Sequence, residues 1–220
     1  MTLKAVFFDL DGTLLDTAPD LAHALNKLLT AEGRAPLKYH AIRKVVSDGA
    51  NAMLKLAFKL QPDEPGFDRL RSSLLSFYLQ DLAASTKPFA GIEALLQQLS
   101  QAGISWGVVT NKPWAYTEPL MAAFRFASDP IAVICPEHVG ERKPAPESLL
   151  LACQQANCCP EDALYIGDHL RDIQCGINAG MPTIAVGYGY INDNDHHESW
   201  NASHSVNKAK EIWPILKTYL

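Results

Sequence analysis

No stretch of this 220-residue chain approaches the roughly 20 consecutive apolar residues that a membrane-spanning helix needs, although 48% of its residues are hydrophobic. Basic tracts are missing too. The 19 Lys and Arg are interspersed with 24 Asp and Glu, giving a net charge of −5, so nothing draws the chain to nucleic acid or to an anionic membrane. The partner this leaves is a small molecule. The five cysteines include no C-x-x-C pair, and Cys158 and Cys159 are adjacent, which argues against both a disulfide framework and a zinc site. They read as small buried hydrophobes. Met1-Thr2-Leu3-Lys4 runs directly into an apolar strand, with no room for the parts of a signal peptide, so the expected compartment is the cytoplasm. "DNDHHE" (193–198) carries ligand-type side chains, but successive loop positions seldom converge on one ion, and a solvated loop is the expectation. The Asn201-Ala-Ser sequon has meaning only in a secreted protein.

What is present is a βα rhythm. "LKAVFFD" at the N-terminus, "ISWGVVT" (104–110), "PIAVIC" (130–135), "ALYIGD" (163–168) and "PTIAVG" (182–187) read as strands. Between them, Ile92, Leu95, Leu96 and Leu99 line one helical face, and Leu149, Leu150 and Cys153 line another. Continuously apolar strands joined through helices predict a Rossmann-like α/β core: a parallel sheet with helices on both faces, whose ligand lies beyond the carboxyl ends of the strands.

Residues 17–86 depart from this rhythm. Their apolar positions are helical throughout, from Leu21, Leu25, Leu28 and Leu29 to Leu70, Leu74 and Tyr78, with "SDGA" (47–50) and "QPDEPG" (61–66) as breaks. Thr17 and Asp20 resemble a helix-capping pair. The expected organisation is a core made of residues 1–16 and 87–220, and an inserted helical cap over 17–86.

Polar residues gather where strands end: Asp9 and Asp11 after "AVFF", Thr110 and Asn111 after "WGVV", Lys143 before the "PAPESLLLA" helix, and Asp168 with Asp172 after "LYIG". Singly these are turn and helix-start residues. On one edge of a parallel sheet they converge. Asp9 and Asp11 would face opposite sides of an extended strand, so a kink after Asp9, permitted by Gly12, is required to bring both to one ligand.

The series D-L-D-G-T, T-N, K-P and G-D-x-x-x-D resembles the four motifs of the haloacid dehalogenase superfamily, over essentially the whole chain and including a cap inserted after the first motif. "DGTLLDTAPDL", "VVTNKP" and "YGYI" look like its phosphoglycolate phosphatase group. "WGVVTNKP", "ICPEHV" and "SDGA" look like the N-acetylmuramic acid 6-phosphate phosphatases within it. The resemblance implies a phosphomonoesterase working through an aspartyl-phosphate, with Asp9 as nucleophile, Asp11 as acid and base, and Thr110 and Lys143 as further catalytic groups. It implies phosphate binding by Gly12, Thr110, Asn111 and Lys143. A phosphate dianion entering a pocket of carboxylates needs a cation, and Mg²⁺ is the expected cofactor, held by Asp9, the Asp11 carbonyl and Asp168, with Asp172 close by. In the cap, Ser47 and the Gly49 amide are expected to meet the substrate's non-phosphate end.

Phosphoglycolate and N-acetylmuramate 6-phosphate are the two substrates in view. A phosphomutase or a dehalogenase would share the nucleophile, but a dehalogenase has no use for an acid at Asp11. The expected partner is a small phosphomonoester, with no nucleic acid or membrane, on a monomer or homodimer. His169, where small residues are common in the group, reads as a solvent-facing side chain.

Overall fold

The computed structural model describes residues 2–193 and 195–220, so Met1 and Asn194, which belong to the N-terminal and "DNDHHE" readings, lie outside the described residues. In chain order the elements are β1 (Ala5–Phe8), β2 (Leu15–Asp16), α1 (Ala18–Ala31), α2 (Tyr39–Arg43), α3 (Gly49–Phe58), α4 (Phe67–Gln80), β3 (Lys87–Pro88) and α5 (Ile92–Gln101). There follow β4 (Ser105–Val109), α6 (Trp114–Ala122), β5 (Val133–Ile134), α7 (Glu147–Gln155), β6 (Ala163–Gly167), α8 (Leu170–Asn178), β7 (Thr183–Val186), β8 (His204–Val206) and α9 (Ile212–Leu216). The chain divides into two compact units, Met1–Leu15 with Pro88–Leu220, and Asp16–Lys87.

The larger unit is built on a six-stranded sheet in the order β5-β4-β1-β6-β7-β8, every pairing parallel. β1 is central because all four of its residues are apolar and fully buried, which suits a strand covered on both faces. Phe7 is in register with Gly107 of β4 and Tyr165 of β6. Ala5 and Phe7 pack with Leu149, Ala152 and Cys153 of α7 and Cys175 of α8, while Phe8 meets Trp106 edge-on at 6.4 Å. Helix α5 lies against β4 and α9. The strands are thus pinned by apolar contacts along their length, and their carboxyl ends share one edge.

The "PIAVIC" strand is shorter than its sequence suggests, reduced to two residues at the sheet edge. The five cysteines are all unbridged, with Cys135, Cys153 and Cys175 buried. Among the described residues no helix is long and apolar enough to cross a membrane.

The smaller unit holds α1 to α4, with α1 packed against α2, α3 and α4. Leu25, Leu28, Leu29, Met53, Leu54, Leu70, Leu74 and Tyr78 form its buried faces. Thr17 occupies the N-cap of α1 but makes no side-chain cap bond, so the expected pair with Asp20 does not form. Asp20 instead turns to the far end of the unit, where its carboxylate accepts from the Ser85 amide (2.8 Å), the Thr86 amide (3.0 Å) and the Thr86 hydroxyl (2.6 Å). Ser47 sits in a single helical turn, its Oγ buried without a partner among the described residues. The Gly49 amide, expected to face substrate, closes that turn onto the Val46 carbonyl.

Candidate active site

β1 delivers the first two aspartates. The Asp9 amide is still in the ladder, donating to the Ile166 carbonyl at 2.9 Å, and the chain then folds back on itself. Leu14 N–H reaches the Asp9 carbonyl, Leu15 N–H the Leu10 carbonyl, and Gly12 N–H the Leu15 carbonyl at 3.0 Å. Gly12 makes this possible with φ of +88°. The kink that the sequence demands is therefore present.

Lys143 lies at the centre of the site. Its side chain is 1% exposed, and its Nζ lies 2.8 Å from Asp9 Oδ1, 2.7 Å from Asp172 Oδ1, 2.7 Å from Tyr165 Oη and 3.1 Å from the Val109 carbonyl. Burial opposes its charge, but Asp172 and Asp9, in that order, more than offset the penalty and hold its pKa above the ordinary lysine value. Tyr165 steadies this arrangement by donating its hydroxyl to Val109 O at 2.7 Å.

Asp172 is on the first turn of α8, accepting from the His169 amide with Oδ2 while Oδ1 receives Lys143. His169 is not idle: its Nδ1 accepts from the Arg171 amide at 3.1 Å and caps the same helix. Asn111, expected on phosphate, instead brackets the Lys143 backbone, donating to its carbonyl at 3.0 Å and accepting from its amide at 3.1 Å. Thr110 is buried at the end of β4, its hydroxyl accepting from the Lys112 amide at 3.1 Å.

Lys112 was not among the expected site residues. It follows β4 as Asp11 follows β1, and its Nζ lies 3.0 and 3.3 Å from the two Asp11 carboxylate oxygens. Its side chain is 8% exposed and that of Asp11 18%. Two aspartates one residue apart are thus served by different lysines from different loops. The signal was in the "TNKP" run, but no local pattern says which carboxylate the lysine meets.

Asp9, Asp168 and Asp172 place carboxylate oxygens within 4.8 Å of one another. Asp168 follows β6, and among the described residues no lysine or arginine is a hydrogen-bond partner of it: its oxygens receive the Thr13 hydroxyl (3.1 Å) and the Tyr190 amide (2.8 Å). Burial first, then the charges of Asp9 and Asp172, push its pKa well above the carboxylate range. Asp9 is also pushed up, by burial against the pull of Lys143. A cluster of hard oxygen donors whose own lysine leaves one member unneutralised fits a divalent cation such as Mg²⁺.

The "DNDHHE" loop is not uniformly solvated. His197 is buried with Nε2 unpartnered among the described residues, and Asp195 accepts from Trp200 Nε1 at 2.7 Å. Among the described residues, the aspartate trio is the only group that could hold a metal.

A profile for haloacid dehalogenase-like hydrolases matches residues 6–186, from β1 to the end of β7. The chain is 44% identical to an N-acetylmuramic acid 6-phosphate phosphatase of Pseudomonas aeruginosa, over 98% of this chain and 96% of that protein. It is 36% identical to a phosphoglycolate phosphatase of Xylella fastidiosa, over 96% and 94%. A crystal structure of a predicted phosphoglycolate phosphatase from Haemophilus somnus has the same fold, with a TM-score of 0.83 at 23% identity over 98% of both chains. Fold, motif order and full-length identity agree: the chain belongs to the haloacid dehalogenase-like hydrolase family, and within it to a branch whose curated relatives are phosphatases.

Proposed function

We propose that this protein hydrolyses a small phosphomonoester through an aspartyl-phosphate on Asp9, with Mg²⁺, and that the substrate is N-acetylmuramate 6-phosphate. The observation that carries the chemistry is the Asp9 carboxylate, one oxygen held by Lys143 at 2.8 Å and the group gathered with Asp168 and Asp172 at the sheet's carboxyl edge. The substrate rests on the greater identity to the N-acetylmuramic acid 6-phosphate phosphatases, 44% and 42%, than to the phosphoglycolate phosphatases at 36%.

Asp9 attacks phosphorus, and the bond to the substrate oxygen breaks as Asp11 gives that oxygen a proton. Asp11, now a carboxylate, takes a proton from water as the water oxygen attacks the same phosphorus, releasing inorganic phosphate and restoring Asp9. Lys143 balances the negative charge on Asp9 and the transferring group. Asp172 and Tyr165 hold its ammonium in place, and Asn111 fixes the backbone from which it projects. The Thr110 hydroxyl, which accepts from the Lys112 amide, keeps its own proton for donation and would give it to a phosphate oxygen. Asp9, Asp168 and the Asp11 carbonyl would hold Mg²⁺, which when bound supplies positive charge against the phosphate and the carboxylates.

The test is phosphate release across a panel of phosphorylated metabolites. N-acetylmuramate 6-phosphate should give the highest kcat/KM, above 2-phosphoglycolate, and Asp9→Asn should lower it by more than about a thousandfold. A preference for 2-phosphoglycolate would replace the substrate, and turnover retained by Asp9→Asn would remove the covalent mechanism.

A further inference from the structure

Asp168 is held from a loop that no catalytic motif contains. After β7 the chain runs Gly187-Tyr188-Gly189-Tyr190, and Gly187 N–H donates to the Val206 carbonyl of β8 at 2.8 Å, fixing the start of the loop to the sheet. Three residues on, the buried Tyr190 gives its amide to Asp168 Oδ2 at 2.8 Å. Between these points the Tyr188 hydroxyl donates to the Thr13 carbonyl at 3.1 Å, and the Thr13 hydroxyl donates to Asp168 Oδ1. The rings of Tyr188 and Tyr190 stand 5.0 and 6.2 Å from that of Phe89, which is itself tied by its amide to the Leu14 carbonyl. Both oxygens of Asp168 are therefore fixed, one by the loop directly and one through a threonine that the loop grips.

Gly189 is the residue this packing requires. A β-carbon there would lie 2.3 Å from Asp168 Cβ, 2.4 Å from its Oδ2 and 2.5 Å from the Gly12 carbonyl. None of these can yield cheaply: two belong to the carboxylate side chain and the third to the backbone of the β1 turn. The loop presses on Asp168 so closely that only a hydrogen fits between them.

We propose that Gly187–Tyr190 is a positioning loop for the metal site: it fixes the orientation of the Asp168 carboxylate and thereby sets the site's affinity for Mg²⁺. This rests on the reading of Asp168 as a metal ligand. Groups that orient a ligand from behind typically cost about 10–100-fold in metal affinity when removed. Gly189→Ala displaces the carboxylate and belongs in that range. Tyr188→Phe removes one hydrogen bond to Thr13 and should weaken Mg²⁺ by about fivefold, the worth of a single such bond.

The measurement is calorimetric titration of Mg²⁺ alone into the substrate-free enzyme, with substrate KM at saturating Mg²⁺ as a second readout. Support is a weaker Mg²⁺ dissociation constant in both variants with substrate KM unchanged, and loss of binding in Asp168→Asn. If Gly189→Ala does not fold, Tyr188→Phe decides. Wild-type binding with unaltered affinity in the folded variants overturns the role of the loop and leaves the function standing. A wild-type enzyme that takes up no Mg²⁺ overturns both.

Discussion

Asp9 and Asp11 differ in what they touch, and the difference is written in two lysines. Lys143 binds Asp9 from a fully buried position and shares itself with Asp172 and Tyr165, so Asp9 sits in a fixed network at the bottom of the site. Lys112 binds only slightly exposed Asp11 through both carboxylate oxygens and orients it separately. If Asp11 is the acid for the leaving group, Asp11→Asn should cost about 10²–10⁴-fold on an alkyl phosphate and far less on an aryl phosphate, whose leaving group departs without a proton. Lys112→Met should show the same signature in smaller size. Losing this charge-assisted contact weakens the orientation of Asp11 and lowers kcat on alkyl phosphates by about 10–100-fold, with aryl phosphates nearly spared. Steady-state rates on an alkyl and a nitrophenyl ester decide this. Equal losses on both would assign Lys112 to the phosphate rather than to Asp11.

Among the elements, Asp20 has a structural role that its position at a helix start does not suggest. It lies in the first turn of α1, is 2% exposed, and accepts three hydrogen bonds from Ser85 and Thr86, which precede the returning strand β3. Asp20→Ala would leave the buried Thr86 amide and hydroxyl without an acceptor, at about 3 kcal/mol for the two. A midpoint about 6–12 °C lower in a thermal melt is the expected result for a chain of this size, and a shift under about 2 °C would show that water replaces the clasp. Thr17 and Asp20 read as a cap because their spacing is that of a cap, yet the carboxylate found partners 65 and 66 residues away. The same reason separates what was legible from what was not. Strands β1, β4 and β6 are mostly apolar runs each followed by a polar residue, whereas β7 runs into Gly187, and parallel pairing alone brings Asp9, Thr110 and Asp168 to one edge. The three-residue β8, half exposed, and the two-residue β2 and β3 carry no period to detect. Lys143 was visible as a motif, but its Tyr165 partner looks like any buried residue of β6. Gly189 looks like a turn glycine until a carboxylate 21 positions earlier in the chain is placed against it.

The charge of the assembled site governs how the chain responds to pH. Four aspartates, 9, 11, 168 and 172, face two lysines, 112 and 143, leaving two negative charges when all are ionised. In the folded chain without metal, burial raises the pKa of Asp168 well above 3.8 and that of Asp9 above 3.8, whereas in the unfolded chain both titrate near the ordinary aspartate value. Between the unfolded and folded values the native state binds more protons, so its stability falls as pH rises through that window. The contribution of these groups is complete below the unfolded pKa and gone above the folded one. Mg²⁺ competes with the same protons, since only the carboxylate forms bind it, so its stabilisation runs in the opposite direction and grows with pH. At neutral pH and a Mg²⁺ concentration a hundredfold above its dissociation constant, the gain is about 2.7 kcal/mol, or about 5–11 °C in the thermal midpoint. Melts with and without Mg²⁺ between pH 4.5 and 7.5 should therefore diverge as pH rises, and Asp168→Asn should bring the two series together. A Mg²⁺ effect that is flat with pH, or that survives in Asp168→Asn, would place the cation elsewhere than on the aspartates at the carboxyl edge of the sheet.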